Sequence, residues 1–178
     1  YGDFSQCTEA DVVAQLDEYY DKGVRVLFPV HKYDNAFSAG DGDRGIIDIG
    51  NFGHTGHYNS YIECSEELLE FRAGFDNGGV AFPDLNRPRD KFDSEPPVDM
   101  SGFEDNPLGS LLPYAGLLGG EPLAGDYCQQ HGLTDLGEFL IAQMMQRGMI
   151  IELDHLPRKS VKRTLDLLQE NDYPAMGT

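Results

Sequence analysis

Met149-Ile150-Ile151-Glu152-Leu153-Asp154-His155 is the stretch that decides the fold. Its first five residues are nearly all apolar and do not alternate with polar ones, the pattern of a strand covered on both faces rather than one. On its amino side, Thr134 is placed to cap a helix with Asp135 and Glu138 in the first turn. Leu136, Leu140 and Met144 form that helix's stripe, and Arg147-Gly148 ends it. On its carboxyl side Pro157 opens another helix, with Val161, Leu165 and Leu168 on one face and a stop near Asn171. Tyr173 to Thr178 then begins a further strand. Residues 149–178 therefore read as a β-α-β unit.

The same order recurs at the start of the chain. Thr8 reads as an N-cap with Asp11 three residues on. Val12, Val13, Leu16, Tyr19 and Tyr20 follow at helical spacing until Lys22-Gly23, so a helix is predicted over about 9–22. Val24-Arg25-Val26-Leu27-Phe28-Pro29-Val30 is a second run of buried-strand type. Pro29 lacks a ladder donor and marks its last pair or a bulge. Helix-to-strand alternation with apolar strands predicts an α/β fold with a parallel sheet, right-handed crossovers and ligands at the carboxyl ends of the strands.

Between these ends lies a different composition. Residues 32–131 hold 15 of the 21 glycines, 7 of the 10 prolines and 18 acidic against 6 basic residues, so most of the net charge of −18 sits there. The division is thus 1–31, helix and strand; 32–131, a loop-rich acidic insertion; and 132–178, helix-strand-helix-strand. An α/β barrel takes about 250 residues. A chain of 178 residues with only three visible strands is expected to be part of a TIM-like (β/α) barrel carrying a long insertion.

Charge and composition narrow the partners. A surface this acidic repels phosphate backbones and anionic lipid, which excludes nucleic acid. No apolar run approaches the roughly 20 residues of a membrane span, and Tyr1-Gly2-Asp3-Phe4 has neither an initiator Met nor a basic leader, so a processed chain or a fragment is expected. Cys7, Cys64 and Cys128 form no CxxC pair; one disulfide and one free thiol are allowed, with the pairing open. An acidic, Gly-rich, Lys-poor chain points to an extracellular or cell-envelope location.

Two histidines stand at the carboxyl ends of the two clearest strands, His31 and His155, the latter with Asp154 beside it. One strand-end histidine is ordinary structure. Two at equivalent ends of parallel strands indicate a metal or proton-transfer site.

Leu133-Thr134, Gly137 and Gly148-Met149-Ile150-Ile151-Glu152-Leu153-Asp154-His155 resemble the segment of the membrane dipeptidase (renal dipeptidase) family that carries a zinc-ligand histidine. Gly23 to His31 is similar to that family's strand ending in Thr-His, with Val30 in place of the Thr. The resemblance covers about eighty residues at the two ends and not the insertion. It implies a zinc-dependent hydrolase cleaving a peptide or related amide bond, with two zinc ions sharing a carboxylate and a nucleophilic water.

By position, the resemblance makes His155 a zinc ligand and His31 the group at the substrate carbonyl oxygen. Asp154 or a backbone carbonyl would fix the His155 tautomer. The family's short connection after the first histidine carries Asn residues, whereas this chain runs about a hundred residues there, and Asn35 near its start is the substrate contact the resemblance implies. The family's His-x-Asp pair has no counterpart here. Its bridging Glu falls near Phe4, where only Asp3 is acidic, and its second-metal His falls just past Thr178. The remaining donors are therefore expected from the rest of the barrel or another chain.

Lesser signals lie in the insertion. Asp41-Gly42-Asp43-Arg44-Gly45 begins like a calcium loop but has Phe52 rather than Glu at the twelfth position. Gly53-His54-Thr55-Gly56-His57 reads as a turn. Tyr58, Tyr61, Phe71, Phe75 and Phe82 are expected to form a small core of the insertion's own or a lid over the site. The rival readings are a non-catalytic extracellular binding or structural module and, less supported, carboxylate-pair glycosidase chemistry at Glu152 and Asp154. Side chains two apart on one strand cannot oppose each other across a substrate.

Overall fold

The computed structural model of the chain describes residues 7–41, 50–51, 54, 61–71 and 127–177. Its elements in order are α1 (Glu9–Asp21), β1 (Val26–Leu27), β2 (Tyr61–Glu63), α2 (Glu66–Glu70), β3 (Tyr127–Gln129), α3 (Asp135–Gln146), β4 (Ile150–Glu152), α4 (Arg158–Glu170) and β5 (Ala175–Met176).

The predicted caps form the helix starts. Thr8 and Asp11 make a reciprocal capping box on α1, the Thr8 backbone N–H donating to the Asp11 carboxylate at 2.9 Å. Thr134 Oγ1 accepts the Gly137 N–H at 3.0 Å and itself donates to the Ala36 carbonyl at 2.6 Å, so one hydroxyl starts α3 and ties it to the loop after β1. Gly137 is required there, since a Cβ would come within 2.0 Å of the Phe37 carbonyl oxygen. Gly148 closes α3 at φ 64°, a left-handed conformation that glycine adopts without penalty.

β1, β4 and β5 form a parallel sheet in the order β1-β4-β5, in register Val26 to Ile150, Leu27 to Ile151, and Ile151 to Ala175. The fold is therefore mixed α/β with a parallel three-stranded sheet, as the alternation predicts, and the sheet is open among the described residues. Val12 and Leu16 of α1, Leu140, Ile141 and Met144 of α3, Met149 and Ile151 at β4, and Leu168 of α4 make one core. α1 and α3 thus bury their stripes, and α4 its Leu168, with the Ile151 face of the sheet, while Val161 of α4 packs with Val30 and Leu156 beyond the strand ends. Ion pairs lock the layer from outside, Arg147 to Asp17 at 2.7 Å and Arg163 to Glu138 at 2.6 Å.

The expectation of strands buried on both faces fails for the other side. Val26 and Ile150, paired across β1 and β4, are 40 and 43% exposed, because no helix among the described residues crosses that face. An unbroken apolar run cannot reveal which face is covered, since it lacks the alternation that would mark one.

The insertion is pinned where it leaves and returns. Ser38 bridges Leu133, the Ala39 N–H donates to the Gly132 carbonyl, and the Ser38 and Ser160 hydroxyls meet at 2.9 Å with both residues buried. Farther along, β2 and β3 form an antiparallel pair. Ile62 stands opposite Cys128, and Cys64, just after β2, is disulfide-bonded to Cys128, which leaves Cys7 as the free thiol. Phe71 packs against Val30, Leu156 and Val161 rather than into a core belonging to the insertion, and Tyr61 lies in β2. Tyr58, Phe75 and Phe82 lie outside the described residues. No helix among the described residues is long and apolar enough to cross a membrane.

Candidate functional site

Parallel pairing of β1 with β4 carries the residues that follow both strands to the same edge of the sheet. His31 and His155 meet there, their ring centroids 4.3 Å apart and their planes at 77°. Phe28 completes the group, 5.7 Å from the His31 ring and 5.9 Å from that of His155. Phe28 and His31 are exposed and His155 is half-buried, so the imidazoles form an open rim.

The backbone at His155 is held in an unusual state. The turn after β4 closes with the Leu156 N–H donating to the Leu153 carbonyl at 3.3 Å, and His155 sits in it at φ 65°. A side chain in the left-handed region costs about 1–2 kcal/mol. Strain of that size concentrates at functional positions. Here it swings the ring back toward His31 as the chain turns into α4.

The carboxylate that faces His155 is Asp41. Its Oδ2 lies 3.3 Å from Nδ1 of His155 and 2.9 Å from the Lys32 ammonium, and the Asp41 side chain is only 7% exposed. Asp154, the partner expected from sequence, sits half-buried in the turn beside His155 but is not the group at Nδ1. Local sequence carries no signal for Asp41 in this role, because 114 positions separate it from His155. Only the closed neck of the insertion brings the two together.

Asn35 serves the loop. Its Nδ2 donates to the Pro29 carbonyl at 2.9 Å, and its Oδ1 accepts the Phe37 and Ser38 N–H groups at 2.8 and 3.1 Å. It is an Asx turn that folds the chain back after β1, with its hydrogen-bonding atoms committed to backbone. Behind it, buried Asp34 accepts the Gly40 N–H at 2.8 Å and its own N–H donates to Asn51 Oδ1 at 2.8 Å. These bonds build the platform from which Asp41 emerges.

The other sequence candidates lie apart or outside. Of the calcium-like segment, only Asp41, Gly50 and Asn51 are described, and Asp41 Oδ2 faces Lys32 and His155. His54 stacks near Tyr33 at 6.1 Å, and His57 lies outside the described residues. A cleft of about 320 Å³ lined by Leu168, Gln169, Asp172, Tyr173 and Pro174 lies where α4 leads into β5, at the amino edge of the sheet and away from the histidines.

The donor types at the rim, two imidazoles and a carboxylate, are those of a zinc site. Their disposition does not close a site, since among the described residues no group of three His, Cys, Asp or Glu side chains is placed to hold a metal ion. No family model, curated protein or solved structure matches the chain.

Proposed function

We propose that this chain is the central part of a zinc-dependent hydrolase of the membrane dipeptidase type, acting on a peptide or related amide bond. The observation that carries the reading is the meeting of His31 and His155 at one carboxyl rim, 4.3 Å apart. The layering supports the barrel half of it. Helices on one face of a parallel sheet and an apolar, uncovered second face are what a segment of (β/α) barrel wall presents before the remaining strands close over it. The Cys64–Cys128 disulfide supports an exported location.

In this reading His155 supplies one zinc donor, and the other donors come from parts of the protein outside the described residues. Zinc, when bound, lowers the pKa of a water molecule and polarises a carbonyl. His31, exposed at the rim, donates a hydrogen bond to the carbonyl oxygen as charge develops on it. Phe28 flanks the pair, its ring 5.7 Å from that of His31 and 5.9 Å from that of His155, and bounds the site on one side.

The test is chelator-sensitive hydrolysis of dipeptides by the intact protein, with zinc content measured on the same sample. His155→Gly is the informative variant, because glycine relieves the positive φ and keeps the fold while removing the ring. The expected result is loss of activity by two orders of magnitude or more and loss of zinc from a protein that still folds. Absence of zinc and of hydrolysis in the intact wild-type protein overturns the reading and leaves the non-catalytic module in its place, and activity and zinc that persist in His155→Gly overturn the role given to His155.

A further inference from the structure

Asp41 spends its hydrogen-bonding capacity on two groups. Oδ2 takes the Lys32 ammonium and faces Nδ1 of His155, while Oδ1 is buried with no hydrogen-bond partner among the described residues. A carboxylate withdrawn from water needs donors for its lone pairs, and one oxygen already lacks any, so each remaining donor matters more. A bare Nδ1 lone pair would set two acceptors against each other at 3.3 Å, whereas a proton on Nδ1 makes a charge-assisted hydrogen bond. The hydrogen bond made by one ring nitrogen decides which nitrogen is left bare.

We propose that Asp41 is the positioning residue of the histidine rim. It holds neutral His155 with the proton on Nδ1 and leaves the Nε2 lone pair as the reactive edge of the ring. The insertion is then part of the site's machinery and not only a cover for it.

Its neck is built to fix this carboxylate. Gly40, the residue before Asp41, passes so close to the Lys32 carbonyl that a Cβ would lie 2.6 Å from its oxygen. Ser38 and Ala39 are anchored to Ser160 and Gly132. Lys32 approaches the same oxygen from the far end of the loop and balances its charge. The purpose of the bare Nε2, to meet a metal, rests on the functional reading above; the tautomer itself is a property of the chain alone.

The experiment is a long-range ¹H–¹⁵N correlation spectrum of the full chain labelled with ¹⁵N-histidine, metal-free and in mildly alkaline buffer where imidazoles are neutral. The His155 signals are identified by their loss in His155→Gly. The expected wild-type pattern is a protonated Nδ1 and a bare Nε2, in about tenfold excess over the other tautomer. Asp41→Asn, whose amide can donate to Nδ1, shifts the ring toward the Nε2–H form that free imidazole prefers in water, and Asp41→Glu restores part of the original ratio.

A bare Nδ1 in the wild type, or an unchanged ratio in folded Asp41→Asn, overturns the proposal. The wild-type spectrum decides alone should the variants not fold. A zinc titration of the same wild-type sample separates the two claims. A fixed tautomer without zinc binding breaks the functional reading only, and zinc binding by a ring protonated on Nε2 before metal is added breaks this one only.

Discussion

The two faces of the three-stranded sheet part company within a single residue step. Ile151 is fully buried among the stripes of α1 and α3 and Leu168 of α4, while Ile150 beside it is 43% exposed and continues through Val26 into the exposed ring of Phe28. A doubly wound sheet would carry helices on both faces. Among the described residues the three long helices share one side and exposed apolar residues lie on the other, which is the layering the barrel part of the proposal expects. The open face also runs up to the histidine rim, so the half of the sheet that contributes least to this core leads to the paired imidazoles.

Substituting the two isoleucines tests that asymmetry most severely. Ile151→Ala is expected to cost about 2–5 kcal/mol, the range for truncating a fully buried aliphatic side chain. Ile150→Ala is expected to cost about 1 kcal/mol or less. Urea denaturation of the two variants measures both. Equal losses would mean that the second face is covered as fully as the first.

A smaller effect sharpens the account of the closed face. Arg163 of α4 holds Glu138 of α3 through two hydrogen bonds of 2.7 and 2.6 Å, and those bonds keep the Glu138 carboxyl below the ordinary glutamate range. A folded-state pKa that is depressed contributes stability above the unfolded value and gives it up as pH falls through the folded one. The pair is partly exposed, so its contribution is at most about 1 kcal/mol. Arg163→Met is expected to lose that increment at neutral pH and to flatten the acid side of the stability profile. A variant with the wild-type acid slope would show that the pair contributes nothing to joining α3 and α4.

What sequence reveals here depends on the range of the interaction. Caps at Thr8 and Thr134 and the apolar runs at 24–30 and 149–153 are local, and each stands where spacing and residue type put it. The convergence of His31 and His155 is legible for a topological reason, because parallel strands end at one edge. Asp41 at His155 and the choice of Cys128 for Cys64 are not legible. Each joins positions far apart in sequence, and each depends on how the insertion's neck and its β2–β3 pair close. Asn35, set at the substrate by the resemblance, stands in the Asx turn of its own loop, a role its residue type suits equally well. The uncovered face was hidden by composition, since Ile150 and Ile151 are the same residue in opposite environments.

The central claim, that the two imidazoles share one rim, is tested most directly by nuclear Overhauser contacts between the ring protons of His31 and His155 in the metal-free protein. Centroids 4.3 Å apart in an edge-to-face arrangement predict strong ring-to-ring cross-peaks, together with weaker ones from each ring to Phe28. Rings that show no contact with each other, while each keeps contacts to its own strand, would contradict the shared site and the function built on it.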